Sequence, residues 1–260
     1  MRPPLCAATG YEEDGLPRSV RNAYADPNAG IYTAFAIVAA LKARRAGEPG
    51  LVIDTSLWDP LLSTGCESWM SHVLGNPPLK PSGNRDPRWA PHNVYRCAGD
   101  AQGDDRWVAI AVRSDGQWSG LCAALGEPSL AEDARYTTAA GRKAHEAELD
   151  RKLAAWCAPR DRWDVTRTLQ ARGVPAFPCM NSRDLAEDEH LRARGFFATF
   201  DHPEVGERAH IGIPWRLAGR PNGVRSRAPL LGEHTEATLR ELLALSPSEL
   251  KALRGRGAIE

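Results

Sequence analysis

The stretch of sequence that decides the fold is residues 26–55, DPNAGIYTAFAIVAALKARRAGEPGLVIDT. Apolar side chains recur at helical spacing in its first half, and Asp26 followed by Pro27 predicts a helix start with Asp26 as the N-cap. A cluster of cations and then Gly47 predict the end of this helix. The apolar run at residues 50–55 predicts a buried strand.

A second helix is predicted over residues 56–74, so this part of the chain shows the helix–strand–helix pattern of an α/β sheet. It contains one convincing strand, and one strand cannot form a sheet. We therefore expect partner strands to come from elsewhere in the chain or from another chain.

The rest of the chain predicts a different kind of architecture. Residues 75–91 are rich in proline and glycine and predict a linker. A hairpin is predicted at 94–97/106–112, with Trp107, Ile110 and Val112 in its core. Further predicted elements are helices at 115–125, 142–157 and 161–172, an edge strand at 174–179, a helix capped by Ser182, a hairpin within 196–213, and helices at 233–244 and 246–254.

These elements predict an α/β fold in four parts. Residues 1–74 would be a partial Rossmann-like large domain that lacks most of its parallel sheet, and residues 75–91 the linker. Residues 92–205 would form a smaller α+β domain. Residues 206–260 would form a helical C-terminal segment that returns to the large domain.

Composition narrows the class of protein. The chain has 33 Lys+Arg and 33 Asp+Glu residues, and this neutral balance argues against a nucleic-acid or membrane-surface binder. Its longest apolar stretch, residues 31–41, is too short to span a bilayer, and its start lacks the apolar core of a secretory signal. We therefore predict a cytoplasmic protein with neither nucleic-acid nor membrane partners.

The cysteines predict neither a metal site nor disulfides. They are widely spaced and include no C-x-x-C pair, so we predict no bound metal. A chain of this size without an export signal is not expected to have a disulfide framework. Reduced, buried thiols are the expectation for Cys6, Cys66, Cys97, Cys122, Cys157 and Cys179.

Nucleotide-binding loops, nucleophile elbows and zinc-protease motifs are absent from the sequence, so Asp26 is the main chemical candidate. An aspartate at a helix start is usually a structural cap. The same position also keeps a carboxylate ionised, and an ionised carboxylate can attack an activated acyl group. The small neighbours Ala25, Ala29 and Gly30 leave room for a thioester to approach.

Several blocks, taken in order, resemble the class III CoA-transferases of the CaiB/BaiF or formyl-CoA/carnitine type. The resemblance runs nearly the whole length of the chain, and the order of the blocks carries it more than any single motif. The blocks are Thr9-Gly10-Tyr11 with Asp14-Gly15, Ala25-Asp26-Pro27-Asn28-Ala29-Gly30 continuing to Leu41, Val52-Ile53-Asp54-Thr55-Ser56, Gly83-Asn84-Arg85-Asp86-Pro87 with Ala90-Pro91-His92 and Val94-Tyr95-Arg96-Cys97, and Pro229-Leu230-Leu231-Gly232-Glu233-His234-Thr235.

The resemblance implies an enzyme that moves CoA from an acyl-CoA to a carboxylic acid. Its nucleophile would be Asp26, acting through an aspartyl mixed anhydride and then an aspartyl-CoA thioester. CoA and acyl-CoA would be substrates, and no tightly bound cofactor is implied. Family members form interlocked dimers, so a homodimer, or association with a chain that supplies the missing Rossmann half, is also implied.

Two departures from the family pattern stand out. The catalytic aspartate of family members follows a long N-terminal region, so we expect this chain to be N-terminally truncated. The glycine-rich loop of formyl-CoA transferases is replaced by residues 82–87, SGNRDP, so formyl-CoA and oxalate are not predicted as substrates.

Alternatives remain open for the function and for other residues. The chain is alternatively an α-methylacyl-CoA racemase-like enzyme or a truncated, non-catalytic partner subunit. Arg85, Arg88 and His92 are candidates to bind a CoA phosphate or an acyl carboxylate, or they are linker residues that cap and solvate a turn. Glu233 is interpreted as a first-turn acid of the following helix.

Overall fold

A computed structural model describes residues 9–11, 18, 24–77, 80–100, 103–219 and 223–259. The chain divides into two compact units, Met1–Cys179 and Met180–Glu260. The predicted turn at Asp14-Gly15 lies outside the described residues. The predicted domain boundaries at 74, 91 and 205 remain predictions.

Helix α1 spans Ala25–Arg45, close to the predicted range. Its N-cap is Tyr24, so the prediction that Asp26 is the N-cap is wrong. Asp26 and Pro27 instead lie inside the first turn, where a missing proline N–H needs no partner and the helix can start further upstream. The C-terminal end agrees with the sequence, since the last turn carries Lys42, Arg44 and Arg45.

The segment 50–55 differs from its prediction. It forms no strand and pairs with no described part of the chain. Val52 is 98% exposed. The apolar run has the composition of a strand, but a strand exists only when a neighbour pairs with it, and the described residues supply no neighbour here. The segment contacts α1 through Thr55, whose Oγ1 accepts a hydrogen bond from the Thr33 hydroxyl at 3.2 Å.

The helix predicted over 56–74 is two helices, α2 (Trp58–Thr64) and α3 (Cys66–Val73), which meet at the buried Gly65. Helix α2 packs against α1. The Asn28 side chain donates a hydrogen bond from Nδ2 to the Thr64 hydroxyl at 3.2 Å, which ties the first turn of α1 to the end of α2. The local structure around Asp26 is therefore held by a second helix.

A three-stranded antiparallel sheet forms the centre of the first unit. Strand β1 (His92–Cys97) and strand β2 (Arg106–Ala111) are the predicted hairpin, and β3 (Ala176–Pro178) pairs with β2 at the sheet edge, as predicted. Ile110 and Val112 are buried. The prediction that Trp107 joins them is wrong, because side chains alternate along a strand and Trp107 faces away from the core with 37% exposure.

Helices cover the core side of this sheet, and the buried cluster includes residues from both. Ser114 caps the first of these helices by accepting a hydrogen bond from the Gln117 N–H. The helix predicted over 142–157 is two helices that meet at His145. The helices are α4 (Asp115–Leu125), α5 (Ala139–Ala144), α6 (Glu146–Cys157) and α7 (Arg162–Gln170), with a 3₁₀ turn at Pro128–Ala131.

Truncating Leu121 tests this core. Leu121 is fully buried in α4, so we expect Leu121→Ala to lower the free energy of unfolding by about 2–5 kcal/mol through lost burial and a residual cavity. Ser119→Ala, on an exposed position of the same helix, is the matched control and should change stability by less than about 0.5 kcal/mol. Urea unfolding followed by circular dichroism measures both. Equal destabilisation by the two variants would contradict this core.

The second unit contains short helices and a hairpin. Asn181, and not Ser182 as predicted, caps α8, because its side chain accepts a hydrogen bond from the Asp184 N–H. The predicted capping box of Ser246 and Glu249 is confirmed. The elements are α8 (Ser182–Glu187), α9 (Glu189–Ala193), the antiparallel strands β4 (Phe197–His202) and β5 (Gly206–Ile211), α10 (Thr235–Leu243) and α11 (Pro247–Gly255).

The cysteines that the structure describes are free thiols. Cys97, Cys122 and Cys157 are buried, as expected, whereas Cys66 and Cys179 are exposed. Burial raises the pKa of the Cys157 thiol to about 12 and that of Cys122 to about 11. Thiols with such high pKa values are poor nucleophiles at neutral pH.

Candidate active site

Asp26 is the second residue of α1, and its side chain is exposed. The described residues offer it no hydrogen-bond or ion-pair partner, so both carboxylate oxygens are open. Ala29, one turn further along, is buried. A Cβ atom added to Gly30 would meet nothing within 4 Å, so the helix surface beside Asp26 is unobstructed.

The next helix repeats this local setting. Asp59 and Pro60 are the second and third residues of α2, as Asp26 and Pro27 are of α1. An aspartate followed by proline in a first helical turn is thus also a plain structural arrangement, with the acid suited to the helix dipole. The backbone position of Asp26 does not by itself mark a nucleophile, and Asp59 provides a matched control for it.

Two blocks of the resemblance lie in contact. The Gly83 N–H donates a hydrogen bond to the Gly10 carbonyl at 2.8 Å. Gly83 has a φ of +61°, and a Cβ atom there would lie 2.8 Å from the Tyr11 ring. Glycine is required here both by the backbone conformation and by the close approach of the ring.

A cavity of about 660 Å³ lies against the face of the sheet that Trp107 shares. Arg85 and His92, both predicted ligand-binding residues, line it, together with Asn93 and Gln170. Asp26 and Arg88 do not line it. The structure therefore brings two of the four predicted site residues together and leaves the other two apart from them.

Arg85 is held by two carboxylates of α6. Its Nε lies 3.8 Å from Glu146 Oε2, and its Nη2 lies 3.6 Å from Asp150 Oδ2. Lys143 Nζ lies 2.6 Å from the same oxygen of Glu146. Asp150 also accepts hydrogen bonds from the Tyr95 hydroxyl at 2.7 Å and from Asn93 Nδ2 at 3.1 Å. These contacts fasten residues 82–87 to the small sheet.

Sequence reasoning did not identify Glu146, Asp150 or Asn93. Glu146 and Asp150 are four residues apart on one helix, and two like charges at that spacing destabilise a helix unless a cation lies between them. That spacing was a usable signal for a bridging cation such as Arg85. Glu146 is only 8% exposed, and its Oε1 atom is buried without a partner among the described residues.

Arg88 and His92 make contacts within their own segment. His92 Nδ1 lies 2.8 Å from the Asn84 carbonyl, to which it donates. The Arg88 guanidinium lies over the Trp89 ring, 5.9 Å from its centroid. Burial opposes ionisation of Asp86, but hydrogen bonds from the N–H groups of Arg88 and Trp89 outweigh it and hold the Asp86 pKa below its ordinary value. A capped turn of this kind is one of the two interpretations that the sequence left open.

Glu233, in the second unit, is not a first-turn acid, because α10 begins at Thr235. Its carboxylate accepts hydrogen bonds from two Arg227 nitrogens, at 2.9 and 2.5 Å, and from the Leu230 N–H at 2.8 Å. The arginine contact, with the backbone bond, lowers the pKa of Glu233 to about 2. Glu233 therefore stabilises the turn at residues 227–233.

The family model described as "CoA-transferase family III" matches residues 4–235. The chain belongs to CoA-transferase family III. It is 28% identical to a formyl-CoA:oxalate CoA-transferase of Afipia carboxidovorans, over 97% of this chain and 63% of that protein. It is also 28% identical to a succinyl-CoA–D-citramalate CoA-transferase of Chloroflexus aurantiacus, over 97% of this chain and 61% of that protein.

A solved CaiB/BaiF family protein from Brucella suis has a similar structure. The TM-score is 0.79 at 30% identity, and the match covers 92% of this chain and 60% of that one. The α/β class and the family predicted from the ordered blocks are thereby confirmed. The described residues contain no parallel sheet, so the Rossmann-like part remains a prediction. The chain spans a little over three fifths of the length of the relatives it matches.

Proposed function

We propose that this family III chain takes part in CoA transfer from an acyl-CoA to a carboxylic acid, with Asp26 as the nucleophile. An oxygen of Asp26 attacks the thioester carbon, and the CoA thiolate leaves as the mixed anhydride forms. The thiolate then attacks the aspartyl carbonyl, which releases the donor carboxylate and leaves an aspartyl-CoA thioester. The acceptor carboxylate finally takes the CoA and frees Asp26.

The observation that carries this proposal is the open carboxylate of Asp26 at the start of α1, inside the family match. The positive end of the helix dipole favours the ionised form that a nucleophile needs. Gly30 leaves the adjacent surface free for a thioester. The packing of α1 on α2 through Asn28 and Thr64 keeps this turn in place.

The names of the relatives support the reaction class, since they pair acyl-CoA donors with carboxylic acids. We propose acyl-CoA and a carboxylic acid as substrates, a homodimer or a partner chain as the assembly, and the cytoplasm as the location. Formyl-CoA and oxalate are not proposed, because residues 82–87 contain a single glycine. Among the described helices, none is long and apolar enough to cross a membrane.

Intact mass spectrometry tests the proposal. The chain is incubated with acetyl-, hexanoyl- or succinyl-CoA and then treated with hydroxylamine, which converts an aspartyl thioester to a hydroxamate. We expect at least one donor to leave a hydroxamate on the peptide that contains Asp26. Modification of Asp59 instead, or no modification with any of these donors, would contradict the role of Asp26.

A further inference from the structure

The cavity beside the small sheet combines an apolar floor with a polar rim, and its volume of about 660 Å³ is in the range of ligand pockets, roughly 300–1,000 Å³. Ala109 lies at its floor, paired in register with Val94 on one side and Phe177 on the other. Because Ala109 is much smaller than its two neighbours, it leaves a depression between them. Ala111 and Pro175 extend the apolar surface.

The polar side chains at the rim are already engaged with the protein. The Arg85 guanidinium faces Glu146 and Asp150. The Asn93 amide nitrogen donates to Asp150, and Gln170 Nε2 donates to the Ala176 carbonyl at 2.9 Å. These groups are therefore not available to hold a carboxylate or a phosphate without losing their present partners.

The charges near the rim also cancel. Arg85 and Lys143 face Glu146 and Asp150, so two cations are matched by two carboxylates. His92 donates from Nδ1 to a carbonyl, so its neutral ring presents an unprotonated Nε2, which repels a carboxylate. An anion placed here would lose hydration without gaining a free cation.

We infer that this cavity takes the uncharged alkyl chain of an acyl thioester, and not the second carboxylate of a dicarboxylic acyl group or a phosphate of CoA. The inference rests on the proposed function for the presence of an acyl thioester, and it narrows the substrate to monocarboxylic acyl groups. It also replaces the earlier interpretation of Arg85 and His92 as anion ligands: Arg85 positions residues 82–87, and the apolar floor selects the ligand.

The test compares two thioesters of N-acetylcysteamine, one of hexanoic acid and one of adipic acid, which have the same chain length and differ by a terminal carboxylate. The full chain carrying Asp26→Asn is titrated with each thioester by NMR, so that no acylation occurs. We expect the hexanoyl thioester to bind at least tenfold more tightly. Equal or tighter binding of the adipoyl thioester, or binding of neither, would overturn the inference.

Variants locate the binding site. Ala109→Leu fills the depression and should weaken binding of the hexanoyl thioester at least fivefold, while Ala123→Leu, at an exposed position of α4, should leave it unchanged. If Ala109→Leu does not fold, Ala111→Val makes the same test. Unchanged binding in a folded variant would show that the ligand lies elsewhere and would overturn the inference.

A charge variant tests the role of the rim. Asp150→Asn keeps the size of the side chain and removes one of the two carboxylates beside Arg85. We expect it to raise affinity for the adipoyl thioester several-fold and to leave the hexanoyl affinity within twofold. No gain for the adipoyl thioester, in a variant whose circular dichroism is unchanged, would count against the charge argument.

These readouts separate the inference from the proposed function. Selective hexanoyl binding without acylation of the wild-type chain would refute Asp26 as nucleophile and retain the cavity assignment. Acylation of Asp26 without selective binding would do the reverse.

Discussion

We expect Asp26→Asn to abolish CoA transfer while leaving the fold intact. The amide has nearly the size of the carboxylate, and Asp26 has no hydrogen-bond partner among the described residues that the change would break. The amide lacks the anionic oxygen that must attack the thioester carbon. Loss of the nucleophile should lower kcat by about 10⁴-fold or more, because a reaction that depends on a covalent intermediate cannot proceed without it.

Asp59→Asn is the matched control for this variant. It makes the same chemical change at the same position of the next helix, and that position is also followed by proline. Any effect of removing a first-turn acid from a helix start should be shared by both variants and amount to about 0.3–1 kcal/mol of stability. Transfer activity and the hydroxamate on Asp26 should disappear in the first variant only.

The comparison also decides against the alternatives. If Asp26→Asn retains full transfer, the nucleophile lies elsewhere. If both variants lose activity in parallel with their stability, the two acids are structural and Asp26 has no chemical role. An acyl adduct that persists in Asp26→Asn would likewise contradict the mechanism.

Local sequence signals predicted the elements whose partners lie nearby in the chain. The hairpin at 92–111 has its two strands side by side, so alternation and the turn between them are sufficient to define it. The last helix begins at Pro247 because Ser246 and Glu249 form a capping box entirely within four residues. Trp107 was misplaced because only the parity along β2, and not its large apolar side chain, determines which face it lies on.

Features that depend on distant partners could not be predicted in the same way. Residues 50–55 have the composition of a buried strand, yet pairing partners decide whether a strand forms. The helix at 56–74 is interrupted at Gly65, which is buried against other residues, a fact that a helical pattern does not contain. The cluster of Arg85, Glu146 and Asp150 joins residues about 60 positions apart, so single residues gave only its separate charges.

The candidate site divides along the same line. Asp26 was found because the ordered blocks around it match a family, whereas its backbone position is shared with Asp59. The cavity was not predicted, because its floor exists only when Ala109 pairs with Val94 and Phe177. Sequence alone therefore located the proposed nucleophile but assigned Arg85 to anion binding, which its two carboxylate neighbours oppose.

The outer face of α1 leads to the second prediction. Ile31, Phe35 and Val38 recur at helical spacing and are exposed, with Phe35 at 76%. Val52 and Trp69, also in the first unit, are exposed as well. Apolar side chains gathered on one helix face mark an interaction surface or a site of aggregation.

We expect the chain to be larger than a monomer or poorly soluble, and to bind CoA weakly on its own. Size-exclusion chromatography with light scattering gives the mass, and a CoA titration gives the affinity. Phe35→Glu should shift the population to monomer, because a buried, unpaired carboxylate would make the apolar contact unfavourable. Ser119→Glu, which adds the same charge at an exposed position of α4, should leave the mass distribution unchanged.

The result discriminates between a working enzyme and an incomplete one. A soluble wild-type monomer that binds CoA tightly and turns over would show that the α1 face needs no partner, and the prediction would be wrong. If Phe35→Glu dissolves the assembly and transfer is lost with it, the face contributes to the active unit. If the variant is monomeric and fully active, the contact made by Phe35 is unrelated to catalysis, since the nucleophile lies on the same helix nine residues before it and remains intact.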